Sequence, residues 1–305
     1  MSRRDASVTV RAPAKINLHL GVGAPRADGF HPLVTVYQAV GLCDDVTVTP
    51  SPGWALGVTV PDWMGVDAIP VTGDNIVDKA ARLLAQHHGI ASQASVSIAK
   101  SIPVAGGMAG GSADAAAALV ALDRLWGLDT SDDDLLRLAA ELGSDVPFAL
   151  VGGTALGTGR GELVEPVSDP ATWWWVVVPS AEGLSTPSVY RRFDELSTDA
   201  PAEPTDARAV LLALSTGRPE ILAGALHNDL ESAALDLRPD LADLLELGES
   251  VGALRGLVSG SGPTCVFLAP DADAARDIAD RLSEHHDVVL VTNGPVAGAH
   301  VVTYA

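Results

Sequence analysis

Between Ile102 and Ala113 the chain reads IPVAGGMAGGSA, with paired glycines at Gly106–Gly107 and Gly110–Gly111 just ahead of an alanine- and leucine-rich run. Glycine lets backbone N–H groups approach a ligand closely, and a following helix adds the positive end of its dipole. Such a loop holds polyphosphate without a lysine. Its candidate residues are Pro103, Val104, Ala105, Gly106, Gly107, Met108, Ala109, Gly110, Gly111, Ser112 and Ala113. No G-K-[ST] follows, and the G-x-G-x-x-G spacing is absent, so neither a Walker loop nor a dinucleotide fingerprint is present. The plain alternative is a flexible connector packed tightly against a helix.

Three other segments carry candidate chemistry. In PAKINL, Lys15 and Asn17 alternate with Ile16 and Leu18, so an ammonium and an amide share one face of a strand. That face either lines a cleft or is solvated. In LGSDVPF, Asp145 stands among apolar neighbours just after a helix end. Ser144 or Asp145 could equally cap a helix with Pro147 in its first turn. SGSGPT, from Ser259 to Thr264, is either a turn before a strand or a cover over a phosphate site. The pairs His87–His88 and His285–His286 lack metal-ligand spacing and read as solvated helix ends. Cys43 and Cys265 belong to no C-x-x-C pair and read as small buried hydrophobes.

These residues need elements to position them. Alternation places strands at Ser7–Arg11, Val34–Val36, Val46–Val48 and Ala94–Ala99. Helices are expected at Asn75–His87, at Ala113–Trp126 and from a Ser131 cap to Gly143. A glycine-rich stretch, Gly152–Gly161, marks a boundary between an N-terminal part that carries the glycine loop (1–157) and a C-terminal part (158–305). The second part has strands at Trp173–Val178, Thr264–Leu268, Val288–Val291 and His300–Tyr304. Its helices lie at Ala207–Leu214, Leu222–Leu235 and Ala272–His285, with a polar, proline-rich loop at Thr198–Thr205. Strands and helices interleave without a regular βαβ period, which makes the fold α+β.

Composition sets the partners. The 305 residues are 47% hydrophobic and 19% charged, too apolar for disorder and too evenly mixed for a membrane protein. The net charge of −20 repels nucleic acid and anionic lipid, so neither is an expected partner. It opposes a phosphorylated ligand as well, which must be held by local donors. Only Lys15, Lys79 and Lys100 are lysines, so a lysine in an apolar segment is informative. The N-terminal residues lack the apolar core of a secretory signal, and the densest apolar run, Trp173–Val178, is too short for a bilayer. A cytoplasmic protein is expected.

In this order the motifs, together with RADGFH at Arg26–His31, resemble the GHMP kinases, the superfamily of galactokinase, homoserine kinase, mevalonate kinase and phosphomevalonate kinase. The likeness is nearest to the branch serving the non-mevalonate isoprenoid route. It implies an N-terminal domain like the second domain of ribosomal protein S5 and a ferredoxin-like C-terminal domain. It implies ATP and Mg²⁺ as cofactors and 4-diphosphocytidyl-2-C-methyl-D-erythritol as the small-molecule partner, phosphorylated at its 2-hydroxyl. Asp145 would be the general base, Lys15 would stabilise the attacking oxygen and the phosphoryl group, and Asn17 would orient the substrate. The loop from Pro103 to Ala113 would wrap the phosphates, with Ser112 near Mg²⁺. His31 would read the cytosine and Tyr190 would stack on it. Phe30 stands where the family commonly has tyrosine, which keeps stacking and loses a hydroxyl. Two other readings are another small-alcohol kinase of the family and a non-catalytic sensor on the same fold. The presence of both Lys15 and Asp145 argues against the sensor.

Overall fold

The computed structural model describes residues 7–64, 75–104, 106–180, 182–198 and 200–302. Two long antiparallel strands, β1 (Val8–Val22) and β2 (Leu33–Thr49), form its spine. The short strand segments expected on either side of Pro13 merge into β1, and the pairing register shifts at Pro13/Ala14 and again at Asn17/His19. β4 (Ala94–Ala99) pairs with β2 and, in parallel, with β3 (Trp54–Thr59). A hairpin of β5 (Thr154–Thr158) and β6 (Leu163–Pro166) joins the free stretch of β2, so the chain leaves this sheet after Pro166. Two later strands return to β1: β8 (His227–Asn228) and β12 (His300–Val302). Residues 303–305 of the last expected strand lie outside the described residues.

Helices α1 (Ile76–His88), α2 (Gly110–Trp126), α3 (Asp132–Leu142) and α4 (Val146–Val151) pack with this sheet. Caps set their ends. The Asn75 side chain accepts from the Val77 N–H, Ser131 accepts from the Asp134 N–H, and Gly89 closes α1 in the left-handed region. α2 is the central helix. Its run Ala115–Ala118 is fully buried, because methyl groups let the helix axis lie close to β1 and β2. This helix begins three residues earlier than its composition predicts. Gly110, Gly111 and Ser112 are already helical, and Ala109 before them has a left-handed φ of 58°.

The second sheet has the order β11-β7-β10-β9 and is antiparallel throughout, with β7 at Trp173–Val178, β9 at Arg255–Val258, β10 at Cys265–Ala269 and β11 at Leu290–Gly294. Helices α5 (Thr186–Leu196), α8 (Glu231–Leu237) and α9 (Asp240–Ser250) lie between β7 and β9, and α10 (Ala272–Leu282) lies between β10 and β11. That chain order is the split βαβ arrangement of ferredoxin-like domains. Val176, Val178 and Phe267 supply its core together with Leu230, Leu241 and Ile278 from the helices.

The single helix expected at Leu222–Leu235 is broken. α6 (Arg208–Leu214) is followed by α7 (Pro219–Ala223), then β8, then α8. Asn228 explains the break. Its amide donates to the Val258 and Gly260 carbonyls at 2.8 Å, while its oxygen accepts from the Leu230 N–H. Residues 227–228 also join the ladder beside His19 and Leu20. Long-range pairing overrides helix propensity here. The final helix stops at Leu282, and the His285–His286 pair lies beyond it. Cys265 is buried as expected, whereas Cys43 is only partly so. Among the described residues no helix is long and apolar enough to cross a membrane.

Candidate active site

A cavity of about 990 Å³ opens where the two sheets meet. The glycine loop forms one wall through Pro103, Val104, Gly106, Gly107, Ala109, Gly110 and Gly111. Ala105 lies outside the described residues. Met108 and Ala113 turn the other way and are fully buried in the core, so their side chains are structural anchors. Ser112 is half-buried in the first turn of α2 and does not line the cavity. The loop is pinned from both sides. The Lys15 N–H donates to the Met108 carbonyl at 3.1 Å, and the Ser259 hydroxyl donates to the Gly107 carbonyl at 3.2 Å. Gly107 has φ 76°, and a Cβ there would overlap the Ser259 carbonyl oxygen. The SGSGPT segment is the turn expected before β10, and it lies against the glycine loop.

Lys15 and Asn17 do share one strand face, and it is buried rather than solvated, at 7% and 3% exposure. The Lys15 ammonium donates to Asn17 Oδ1 at 2.7 Å, and Asn17 Nδ2 donates to Thr35 Oγ1 at 2.8 Å. Asp145 occupies the N-cap position of α4, but its carboxylate does not cap. It turns into the cavity, with Oδ2 3.9 Å from Lys15 Nζ and Oδ1 accepting from the Tyr37 hydroxyl at 3.0 Å. An ammonium, an amide and a carboxylate thus converge beside the glycine loop.

Phe30, His31 and Tyr190 line the cavity farther along, together with Arg160, Arg191 and Asp194. The His31 and Tyr190 rings lie 4.9 Å apart, and His31 Nε2 donates to Asp194 Oδ1 at 2.8 Å. Phe30 does not touch this pair in the same way. It is 51% exposed, with the Arg160 guanidinium 5.0 Å over its ring. This end combines open aromatic surface with cationic groups.

Lys100, noted in the sequence only as one of three lysines, sits between Asp44 and Asp114 and is 6% exposed. Its ammonium donates to both carboxylates, at 2.7 Å to Asp114. Asp44 also accepts from the Ser101 and Ile102 N–H groups, so the entry to the loop is tied to β2 and its exit to α2. Burial would lower the lysine pKa, but the two facing carboxylates outweigh it and raise it. Asp114 is left with Oδ1 buried and without a hydrogen-bond partner. Burial, opposed by Lys100 and reinforced by Asp44, pushes its carboxyl up to about 8. A lysine closing a strand next to a glycine loop was the available signal. Asp44, 56 residues away, gave none.

Comparison with known proteins follows the same lines. The signature described as GHMP kinases N terminal domain matches residues 75–153, and that described as GHMP kinases C terminal matches residues 209–288. The chain belongs to the GHMP kinase family, whose members use ATP as phosphoryl donor. It is 71% identical over 297 residues to a protein of Nocardioides sp. named 4-diphosphocytidyl-2-C-methyl-D-erythritol kinase, covering 97% of this chain and 100% of that one. A Thermobifida fusca protein of the same name is 52% identical over 303 residues, covering 97% and 98%. A crystal structure of 4-(cytidine 5'-diphospho)-2C-methyl-D-erythritol kinase superposes with a TM-score of 0.76 at 33% identity, covering 93% of this chain and 98% of that one. Mevalonate kinase from L. major, at 17% identity and a TM-score of 0.72 over 97% and 98% of the two chains, shares the fold.

The Lys100 cluster generates a pH prediction. Asp114 holds its proton in the folded protein up to about pH 8, whereas an unfolded chain releases it near 3.8. The native state binds the extra proton in that window, so stability falls as pH rises through it, by up to about 1.4 kcal/mol per pH unit for one proton. Asp114→Asn leaves one cation facing one anion. Thermal unfolding from pH 5 to 8.5 should show the decline in the native protein and a flatter profile in Asp114→Asn, with the variant the more stable of the two at pH 8. A parallel decline in both would exclude Asp114 as its source.

Proposed function

We propose that this chain is a cytoplasmic enzyme that transfers the γ-phosphoryl group of ATP to the 2-hydroxyl of 4-diphosphocytidyl-2-C-methyl-D-erythritol. The observation that carries this reading is the placement of Lys15 and Asp145, 3.9 Å apart, in one cavity between the glycine loop and the aromatic cluster. The names of the relatives support the substrate. In this reading residues 1–157 bind the nucleotide, and the part from residue 158 onward adds Tyr190 and the 259–262 turn.

The backbone N–H groups from Gly106 to Ser112, at the α2 N-terminus, hold the phosphates. Asp145 accepts the proton of the 2-hydroxyl as that oxygen bonds to the γ-phosphorus. The bond from phosphorus to the bridging oxygen breaks, and ADP leaves. Lys15, steadied by Asn17, stabilises the charge on the attacking oxygen and the transferring group; Asn17 also orients the substrate. Phosphoryl transfer asks mainly for such positioning and charge stabilisation.

A magnesium ion takes oxygen ligands and draws several of them from phosphates and water. Among the described residues no cluster of three His, Cys, Asp or Glu side chains could hold a metal ion, which fits an ion that arrives on the nucleotide. Ser112 is the proposed protein ligand; it does not line the cavity itself but follows Gly110 and Gly111 of the cavity wall in the first turn of α2. Bound there, Mg²⁺ would neutralise phosphate charge.

The cytosine stacks between the open Phe30 face and Tyr190. With Nε2 donating to Asp194, a neutral His31 presents Nδ1 as an acceptor. That suits the exocyclic amine of cytosine, which uracil lacks. Arg160 and Arg191 supply local positive charge for an anionic substrate.

A coupled ADP-release assay over a panel of alcohols tests the assignment. Turnover is expected with 4-diphosphocytidyl-2-C-methyl-D-erythritol. Release of ADP with mevalonate or homoserine and none with this substrate would overturn it. Asp145→Asn keeps the shape and removes the base. It should lower kcat by roughly 10²–10⁴ with little change in KM for ATP, and a near-native kcat would remove Asp145 from the chemistry. Base–aromatic stacking contributes about 1–3 kcal/mol per base. Tyr190→Ala should therefore raise KM for the cytidine substrate roughly tenfold while KM for ATP stays near its native value. An effect on ATP instead would misplace the cytosine pocket.

A further inference from the structure

We infer that Tyr37 is a positioning residue for phosphoryl transfer, acting through Asp145; this rests on the reading of Asp145 as the base. Tyr37 lies on β2 directly across from Asn17 on β1, and it pairs on its other side with Ala155 of β5. It is 2% exposed, and its hydroxyl donates to Asp145 Oδ1 at 3.0 Å. Its ring stacks on Phe148, three residues beyond Asp145 in α4, with centroids 4.9 Å apart. The β5–β6 hairpin makes room for it with glycine. A Cβ at Gly157 would stand 2.6 Å from the tyrosine ring, and one at Gly161 would overlap the hydroxyl. Ring and hydroxyl are thus held on three sides.

The two Asp145 oxygens consequently have different tasks. Oδ1 is held by a neutral donor, and Oδ2 faces Lys15 and the cavity. Burial, followed by the negative charge of Asp145, raises the Tyr37 pKa well above its ordinary value, so the hydroxyl stays a donor over the whole range in which a kinase is assayed.

A donor on a carboxylate has two opposed effects on a base. It favours the charged form and so weakens the base, and it fixes the direction from which the proton is taken. Losing the donor would strengthen the base and favour a faster step. Losing the orientation costs more, since a misplacement of about 1 Å lowers rates by up to about 10². Orientation wins, and the net effect of removing the hydroxyl is a slower enzyme.

The test is a double-mutant cycle of Tyr37→Phe and Asp145→Asn with the cytidine substrate. Tyr37→Phe keeps the ring and should lower kcat roughly tenfold, with KM for ATP and for the substrate within about twofold. In the Asp145→Asn background the same change should cost less than twofold, because no base remains to be oriented. The acidic limb of the kcat–pH profile should move to higher pH in Tyr37→Phe. A native rate and an unmoved limb in Tyr37→Phe, with Asp145→Asn impaired, would overturn the role of Tyr37 and leave the base intact. Equal fractional losses in both backgrounds would overturn it too, as a general packing effect. A near-native Asp145→Asn would remove the base and the positioning role with it.

Discussion

One contact between main chains governs the site: the backbone at Gly107 lies directly on the backbone of the 259–262 turn. Any Cβ at position 107 would overlap the Ser259 carbonyl oxygen and stand 3.2–3.3 Å from the Gly262 backbone. A Cβ at Gly260 would stand 3.2 Å from the Lys15 ammonium and 3.3 Å from Asn17 Oδ1. Both glycines have positive φ, 76° and 59°. Glycine is needed on both sides for two reasons at once, conformation and space. The first sheet, the glycine loop and the second half of the chain meet at this point. Where Lys15 reaches the cavity from β1, the loop accepts its backbone N–H and the turn lies over its side chain.

A chain with net charge −20 has few cations to place, and the two buried lysines are placed for opposite ends. Lys100 is held between Asp44 and Asp114, the first of which also grips the loop entry, so its charge is spent inside the fold. Lys15 donates to a neutral amide at 2.7 Å, and its nearest carboxylate is at 3.9 Å. Its charge is less fully countered, which leaves it open to an incoming anion. The excess of acid elsewhere does not reach the site as a field, because exposed charges are screened over about 10 Å.

What could be read in the sequence was local. The cap at Ser131, the period of β4, the glycine pairs and the shared face of Lys15 and Asn17 each depend on neighbours within a few residues. The α+β class and the order of the motifs followed from them. What escaped was set by distant partners. The helix expected across 222–235 breaks because Asn228 bonds the 258–260 backbone. Strand β9 and helix α9 have patterns that make sense only against the Phe267 ring, for which Gly248 and Gly256 leave room. Tyr37 meets Asp145 across 108 residues, and nothing near either one announces the other. Within the loop itself composition blurred two roles, since Met108 and Ala113 anchor the core while the residues around them face the cavity.

The position of Asp145 shows how a structural demand can be lifted so that a side chain is left to face the cavity. An N-cap carboxylate ordinarily accepts from the N–H two or three residues on. In α4 the residue two on is Pro147, which has no N–H to give. Val146 donates to the Gly143 carbonyl at 3.3 Å, and Ala149 donates to the backbone carbonyl of Asp145 itself at 3.1 Å. The first turn therefore asks little of the side chain. A carboxylate bound to helix N–H groups would be turned away from the cavity and made a weaker base. Proline at the second helical position removes one of the two N–H groups that could compete for it, and the carboxylate is left to Tyr37 and Lys15 at the cavity.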